Sequence, residues 1–126
     1  MPIKYFYDQE LQEIAEDISR KLFPHVDIAR IKCFRSTGSS TKRTIARCHA
    51  MGKLMQLTVG VGAHYALEFL NEKFNRLSKE DQVKTVIHEL MHIPKTFGGG
   101  FRHHDHVTDK NVDKMYKEYL RLRELE

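Results

Sequence analysis

Ser78-Lys79-Glu80-Asp81-Gln82-Val83-Lys84-Thr85-Val86-Ile87-His88-Glu89-Leu90-Met91-His92-Ile93-Pro94 is the stretch from which the rest of the chain is read. Val83, Val86, Ile87, Leu90 and Met91 recur at three- and four-residue steps, which predicts a helix with an apolar face. Ser78 stands at the N-cap, Glu80 and Asp81 put acids in the first turn, and Pro94 closes the far end. His88 and His92, at i and i+4, fall on one face a turn apart, so both imidazoles can grip one ion. Glu89 is offset by one residue, which sets its carboxylate beside such an ion, in reach of a water proton. For this composition an HExxH arises by chance roughly 0.04 times per chain, which sets the scale of the false-positive risk. Because the flanking residues are apolar, the helix is expected to be buried, and a buried histidine pair needs the partner that a metal supplies.

Downstream, Gly98-Gly99-Gly100 leads into His103, His104 and His106, so 5 of the 8 histidines lie between positions 88 and 106. A catalytic zinc takes three protein ligands and keeps a fourth position for water. The spacing HExxHxxGxxH fails, since Lys95 stands where the glycine belongs and Gly98 where the third histidine belongs. No Glu occurs between His92 and the last helix, which leaves His103, His104 and His106 as alternatives for the third ligand. The glycine stretch lets the chain fold back far enough for one of them to reach the ion. A closing helix is expected from about His106 to Leu125, with Val112, Met115, Tyr119 and Leu122 on one face.

Upstream, Leu11, Ile14, Ala15, Ile18 and Leu22 give a first helix over Asp8–Leu22, with Asp8 as N-cap and Pro24 beyond its end. Apolar and basic residues alternate from Ile28 to Arg35, the period of a half-buried strand. Thr44–Ala50 reads as a second strand, and the two are expected to form an antiparallel hairpin around the turn formers Ser36–Thr41. Lys53–Val61 fits a short helix about as well as a strand, with the helix the preferred reading and Gly60 and Gly62 bracketing its end, and Tyr65–Leu70 reads as a third strand. The fold class is therefore α+β: an N-terminal helix, a small antiparallel or mixed three-stranded sheet, the HExxH helix and a C-terminal helix.

Composition narrows the class further. With 126 residues, 40% apolar and 30% charged, the chain has the makeup of one folded domain over residues 1–126. No apolar run approaches the roughly 20 residues of a membrane helix, and Met1–Tyr5 lacks the core of a secretory signal, so no membrane partner is expected. Two cysteines do not make a disulfide framework, which points to a reducing cytoplasm. Cys33 and Cys48 fall on the two strands of the expected hairpin; they read as buried thiols, with a disulfide or a second metal site with His49 as alternatives. Arg30, Lys32, Arg35, Lys42, Arg43 and Arg47 form an acid-free basic stripe that could track the phosphates of DNA. Phe34 alone interleaves it, so a solvated strand face is the better reading.

The run Ile87–Pro94, then Gly99-Gly100-Phe101-Arg102-His103-His104-Asp105, resembles the small metallopeptidases of archaea and phages, relatives of the SprT-like and minimal zincin groups. The likeness extends to Tyr65–Glu68 and Phe74–Ser78, so it covers the C-terminal half best. In that family the active helix is followed by a loop and then a histidine that opens the next helix, often before Gly, Ser or Asp. The resemblance thus implies His88, His92 and His104 as ligands of one Zn2+ and Glu89 as catalytic acid/base, within a zincin-like fold. Its SprT-like members usually carry an aromatic residue four places after that histidine; Thr108 stands there, and Val107, four after His103, keeps His103 open. The reaction it implies is hydrolysis of a peptide or protein substrate by a metal-activated water. A zinc hydrolase of another amide and a non-catalytic zinc-stabilised binding module are the alternatives. SprT-like proteases act near DNA, which is the further reason to weigh DNA as a partner. Arg102, Tyr65 and Tyr116 are candidate donors to the oxyanion, and Tyr65–Leu70 is the candidate edge strand for substrate.

Overall fold

The computed structural model describes residues 2–126. Four strands and five helices follow one another as β1 (Lys4–Tyr7), α1 (Gln9–Leu22), β2 (Ile31–Thr37), β3 (Ala46–Ala50), α2 (Lys53–Val59), β4 (Tyr65–Leu70), α3 (Asn71–Phe74), α4 (Lys79–Met91) and α5 (Asp109–Glu124). The sheet is mixed, in the order β1-β2-β4-β3, with β2 and β4 parallel and both outer pairs antiparallel. The α+β class expected from sequence is therefore present, with one strand more than expected.

The extra strand is β1, whose four residues are all exposed. So short and solvated a segment leaves no period to detect. β1 pairs with β2 from Lys4 opposite Thr37 to Tyr7 opposite Phe34 and then stops. Past that point α1 takes over the ladder. Asp8 N–H donates to the Cys33 carbonyl at 3.1 Å. The buried Gln12 amide donates to the Ile31 carbonyl at 2.9 Å and accepts from Cys33 N–H at 2.8 Å. The edge of β2 is thereby satisfied where a strand is missing. Asp8 caps α1 by accepting from Leu11 N–H at 2.8 Å, and Leu11, Ala15 and Ile18 bury the apolar stripe against the sheet.

Three expectations about the strands are corrected. The alternation from Ile28 does not start a strand: Asp27 accepts from Ala29 N–H at 3.0 Å and winds Ile28–Arg30 into a 3-10 turn. β2 and β3 do not form a hairpin, because β4 lies between them. Residues 38–45 are long enough to span a neighbouring strand, and β4, with Tyr65, Leu67 and Phe69 in the core, takes the central place that burial on both faces requires. Tyr65–Leu70 is consequently an interior strand, and the free edge beside α4 belongs to β3.

The cysteine pair changes accordingly. Cys33 and Cys48 both stand opposite Leu67, on either side of it. Two strand spacings of about 4.8 Å separate them, beyond the roughly 7 Å limit of a disulfide. Both thiols are free, and burial pushes Cys33 up to about 12 and Cys48 higher still. His49 points to the opposite face from Cys48, so the second metal site is not formed.

α4 is capped as its sequence implies, Ser78 accepting from Asp81 N–H at 3.1 Å. α5 begins at Asp109, later than expected, because Thr108 caps it and residues 103–107 form a separate turn closed onto the His103 carbonyl. No helix of the described residues is long and apolar enough to cross a membrane.

Candidate metal centre

α4 presents His88 and His92 on one face, and the loop after Gly100 returns His104 to meet them. One ring nitrogen from each lies within 4.8 Å of the others. Ring centroids are 5.1 Å apart for His88 and His92, 5.4 Å for His88 and His104, and 4.9 Å for His92 and His104. The return is held by backbone: Arg102 N–H donates to the His92 carbonyl at 2.7 Å. His92 Nδ1 faces the Arg102 carbonyl in a short contact. A carbonyl only accepts, so Nδ1 carries the proton and Nε2 keeps its lone pair for the cluster. Phe101 stacks on the His92 ring at 4.3 Å, nearly parallel, and sets its plane.

The electrostatics fit a cation. Burial, with the His92 and His104 rings close by, lowers His88 to about 4, and burial lowers His92 as well, so both are neutral donors at pH 7. Glu89 is buried beside them, and burial raises its carboxyl to about 8. His88 Nε2 stands 3.8 Å from Glu89 Oε2. Three imidazoles converging next to a carboxyl without a hydrogen-bonding side chain make a donor set that a divalent ion could complete. The cluster opens on a cleft of about 680 Å³ that His88, Glu89 and His104 share with Arg43, Ala46 and Lys84.

The other candidates lie elsewhere. His103 packs edge-on against Phe101 at 5.2 Å, and His106 faces a separate cavity with His25 and Arg102. Neither joins the cluster. Of the three expected oxyanion donors, Arg102 lines that second cavity and not the cleft. The Tyr65 hydroxyl donates to the Gly100 carbonyl at 2.9 Å and accepts from Gly99 N–H at 3.0 Å, tying down the loop. Tyr116 lies under Lys84 Nζ, 5.2 Å from its ring centre. The cations that do line the cleft are Arg43 and Lys84. Lys84 is held by Asp113 at 3.1 Å and Glu80 at 3.2 Å; Arg43 has no ion pair among the described residues. Arg43 stood in the basic stripe with nothing in its spacing to single it out, since its place depends on the path of residues 38–45.

The stripe itself is dispersed. Arg35 turns to Asp8 and Asn75, Arg30 pairs with Asp27 at 3.3 Å, and Arg47 stands 3.7 Å from Glu68. The histidines outside the cluster hold backbone or a carboxylate: His25 the Ile93 carbonyl, His64 the Gly62 carbonyl, and His49 Glu68.

The α+β fold thus brings together three histidines that could hold a metal ion, beside a buried glutamate. Residues 3–123 match the family described as putative phage metallopeptidase, and the chain belongs to that family. No curated protein and no solved structure matches the chain.

Proposed function

We propose that the chain is a zinc-dependent peptidase, one zincin-like domain over residues 1–126. In this reading His88, His92 and His104 hold a single ion and Glu89 is the catalytic acid/base. The observation that carries it is the convergence of three imidazole nitrogens beside a buried carboxyl in an open cleft. An all-nitrogen donor set suits zinc better than the oxygen-seeking calcium or magnesium.

Zinc held by His88, His92 and His104 would supply the Lewis acidity that polarises a peptide carbonyl and activates water. Glu89, ionised by the cation beside it, would take the proton of the attacking water and then give it to the leaving amine nitrogen. Arg43, the cleft cation without an acidic partner, donates to the oxygen that gains negative charge. The substrate is an extended peptide or protein segment laid along β3. The ladder bonds from Leu70 N–H to the Ile45 carbonyl and from Met51 N–H to the His64 carbonyl show which residues face β4. By alternation, the backbone groups of Ala46, Cys48 and Ala50 point outward, ready for strand addition. Two free thiols, Cys33 buried and Cys48 half-buried, suit work in a reducing cytoplasm.

The test is zinc-loaded protein against Glu89→Gln on a peptide mixture, with elemental analysis of both. Turnover is expected to fall about 10²–10⁴-fold while one zinc per chain is retained. Undiminished turnover in the variant refutes the role of Glu89, and zinc binding without turnover in the wild type indicates a structural module.

A further inference from the structure

α2 has its faces reversed. Its one buried residue is Gln56, whereas Leu54 is 77% and Leu57 69% exposed, with Met55, Val59 and the following Val61 also open to solvent. Leu54 and Leu57 fall at i and i+3 and share one face of α2, and Val61 follows just past the left-handed Gly60 that ends the helix. Five large apolar side chains within eight residues are a concentrated patch in a chain whose mean hydropathy is −0.54. An exposed patch of this kind marks a contact surface.

The helix is also held rigidly. Gln56 Nε2 donates to the Met51 carbonyl at 2.8 Å and to the Gly98 carbonyl at 2.9 Å, clamping α2 to the loop that carries His104. Gly99 makes this possible. Its φ is +99°, and a Cβ there would stand 2.3 Å from Met51 O and 2.4 Å from Gln56 Nε2. β3, α2 and the His104 loop are therefore one continuous wall. β3 enters it at the cleft, where Ala46 lines the same space as Glu89, and leaves it at Met51, directly before α2.

We propose that α2 is an apolar subsite for the substrate, so that the enzyme selects extended segments bearing large aliphatic side chains. The inference rests on the peptidase reading above. A peptide added to β3 in the better antiparallel sense runs from α2 toward the cleft. Its residues on the N-terminal side of the reacting bond then meet Leu54, Leu57 and Val61. From Ala46 to Ala50 the strand covers about 13 Å, so contact begins roughly four residues upstream of the bond. A second copy of the chain fits the patch less well. A stable protein interface uses about 20–30 residues a side, and α2 with Val61 offers five.

The experiment uses two fluorescent dodecapeptides, one with leucines four to six residues upstream of the cleaved bond and one with serines there. The zinc-loaded Glu89→Gln protein is expected to bind the leucine peptide at least tenfold more tightly. Adding Leu54→Ser and Leu57→Ser should abolish that ratio with zinc stoichiometry unchanged. In the catalytically intact background, the same two substitutions should raise KM for the leucine peptide and leave its kcat in place. Equal affinity for the two peptides, or a ratio that survives the substitutions, overturns the subsite. So does light scattering that shows a dimer dissolved by Leu54→Ser/Leu57→Ser. A leucine peptide that binds selectively but is never cut overturns the peptidase reading and leaves the subsite standing.

Discussion

On one face of the sheet Glu89 is buried among three imidazoles with burial alone setting its proton affinity; on the other Glu68 is buried as deeply and fully partnered. The Ser36 hydroxyl donates to Glu68 Oε2 at 2.6 Å, and His49 Nε2 lies 2.8 Å from Oε1. Burial by itself would raise the Glu68 carboxyl; the Ser36 and His49 hydrogen bonds, with Arg47 behind them, outweigh it and hold the group below its usual range. Glu89 has no such help, and its carboxyl rises to about 8. The same residue types thus make a satisfied cluster paired within the protein and one whose carboxyl faces the cleft without a partner side chain. Internal pairing stabilises the fold, whereas a carboxyl with its proton affinity shifted in a cleft is where chemistry is performed. Substitutions in the two clusters should therefore trade effects, activity against stability.

The largest expected effect is on the Glu89 side. His104→Ala removes an exposed side chain that makes no protein hydrogen bond, so the stability of the metal-stripped protein should stay within about 0.5 kcal/mol. Zinc retention and turnover should both collapse, turnover by at least about 10²-fold. Equilibrium dialysis alongside thermal unfolding separates the two readouts. A His104→Ala protein that keeps its zinc would hand the third ligand back to His103 or His106. Next in size, metal-stripped Glu89→Gln should be more stable at pH 7 than the metal-stripped parent by about 1–3 kcal/mol, because folding forces the carboxyl to take up a proton that the unfolded chain does not hold, a cost an amide lacks. Destabilisation by this substitution would show that Glu89 belongs to the fold after all.

Sequence made one of these clusters visible and hid the other for a physical reason. His88, Glu89 and His92 are close in the chain, and helical periodicity alone brings them to one face. His104 lies 12 residues beyond His92, and its arrival depends on Arg102 pairing with the end of α4, which residue spacing does not encode. The resemblance supplied it instead. Ser36, His49 and Glu68 come from three strands whose order is set by long-range pairing, and the expected hairpin would have kept β4 out of the middle. β1 escaped for lack of any apolar alternation to bury. The helices fared better, since caps and periodicity are local: Asp8 and Ser78 stand at the starts that their side chains suggest. The edge strand was misassigned because Tyr65–Leu70 is the most apolar strand, which is the mark of a central one.

On the Glu68 side, Glu68→Gln should cost about 1–3 kcal/mol with turnover unchanged, since a neutral amide cannot accept from both Ser36 and His49 as the carboxylate does. The sign of its pH dependence follows from the lowered proton affinity. The folded carboxyl binds its proton below the usual 4.5, so the stabilisation is present above that value and is lost as pH falls through the lower folded value. Urea unfolding from pH 7 to pH 3 should therefore show parent and Glu68→Gln converging in acid. Parallel curves would mean that the carboxylate contributes nothing by its charge.

The smallest effect is at His49. Its side chain is about half exposed, so water screens the pair with Glu68 and can replace the lost donor. His49→Ala should then cost well under about 1 kcal/mol, because Ser36 and Arg47 continue to hold Glu68. That gradation, in which one partner of the satisfied cluster is nearly dispensable while one ligand of the other is not, is the sharpest form of the contrast. A His49→Ala protein as unstable as Glu68→Gln would show that the buried carboxylate relies on a single donor, and the two faces of the sheet would then be equally fragile.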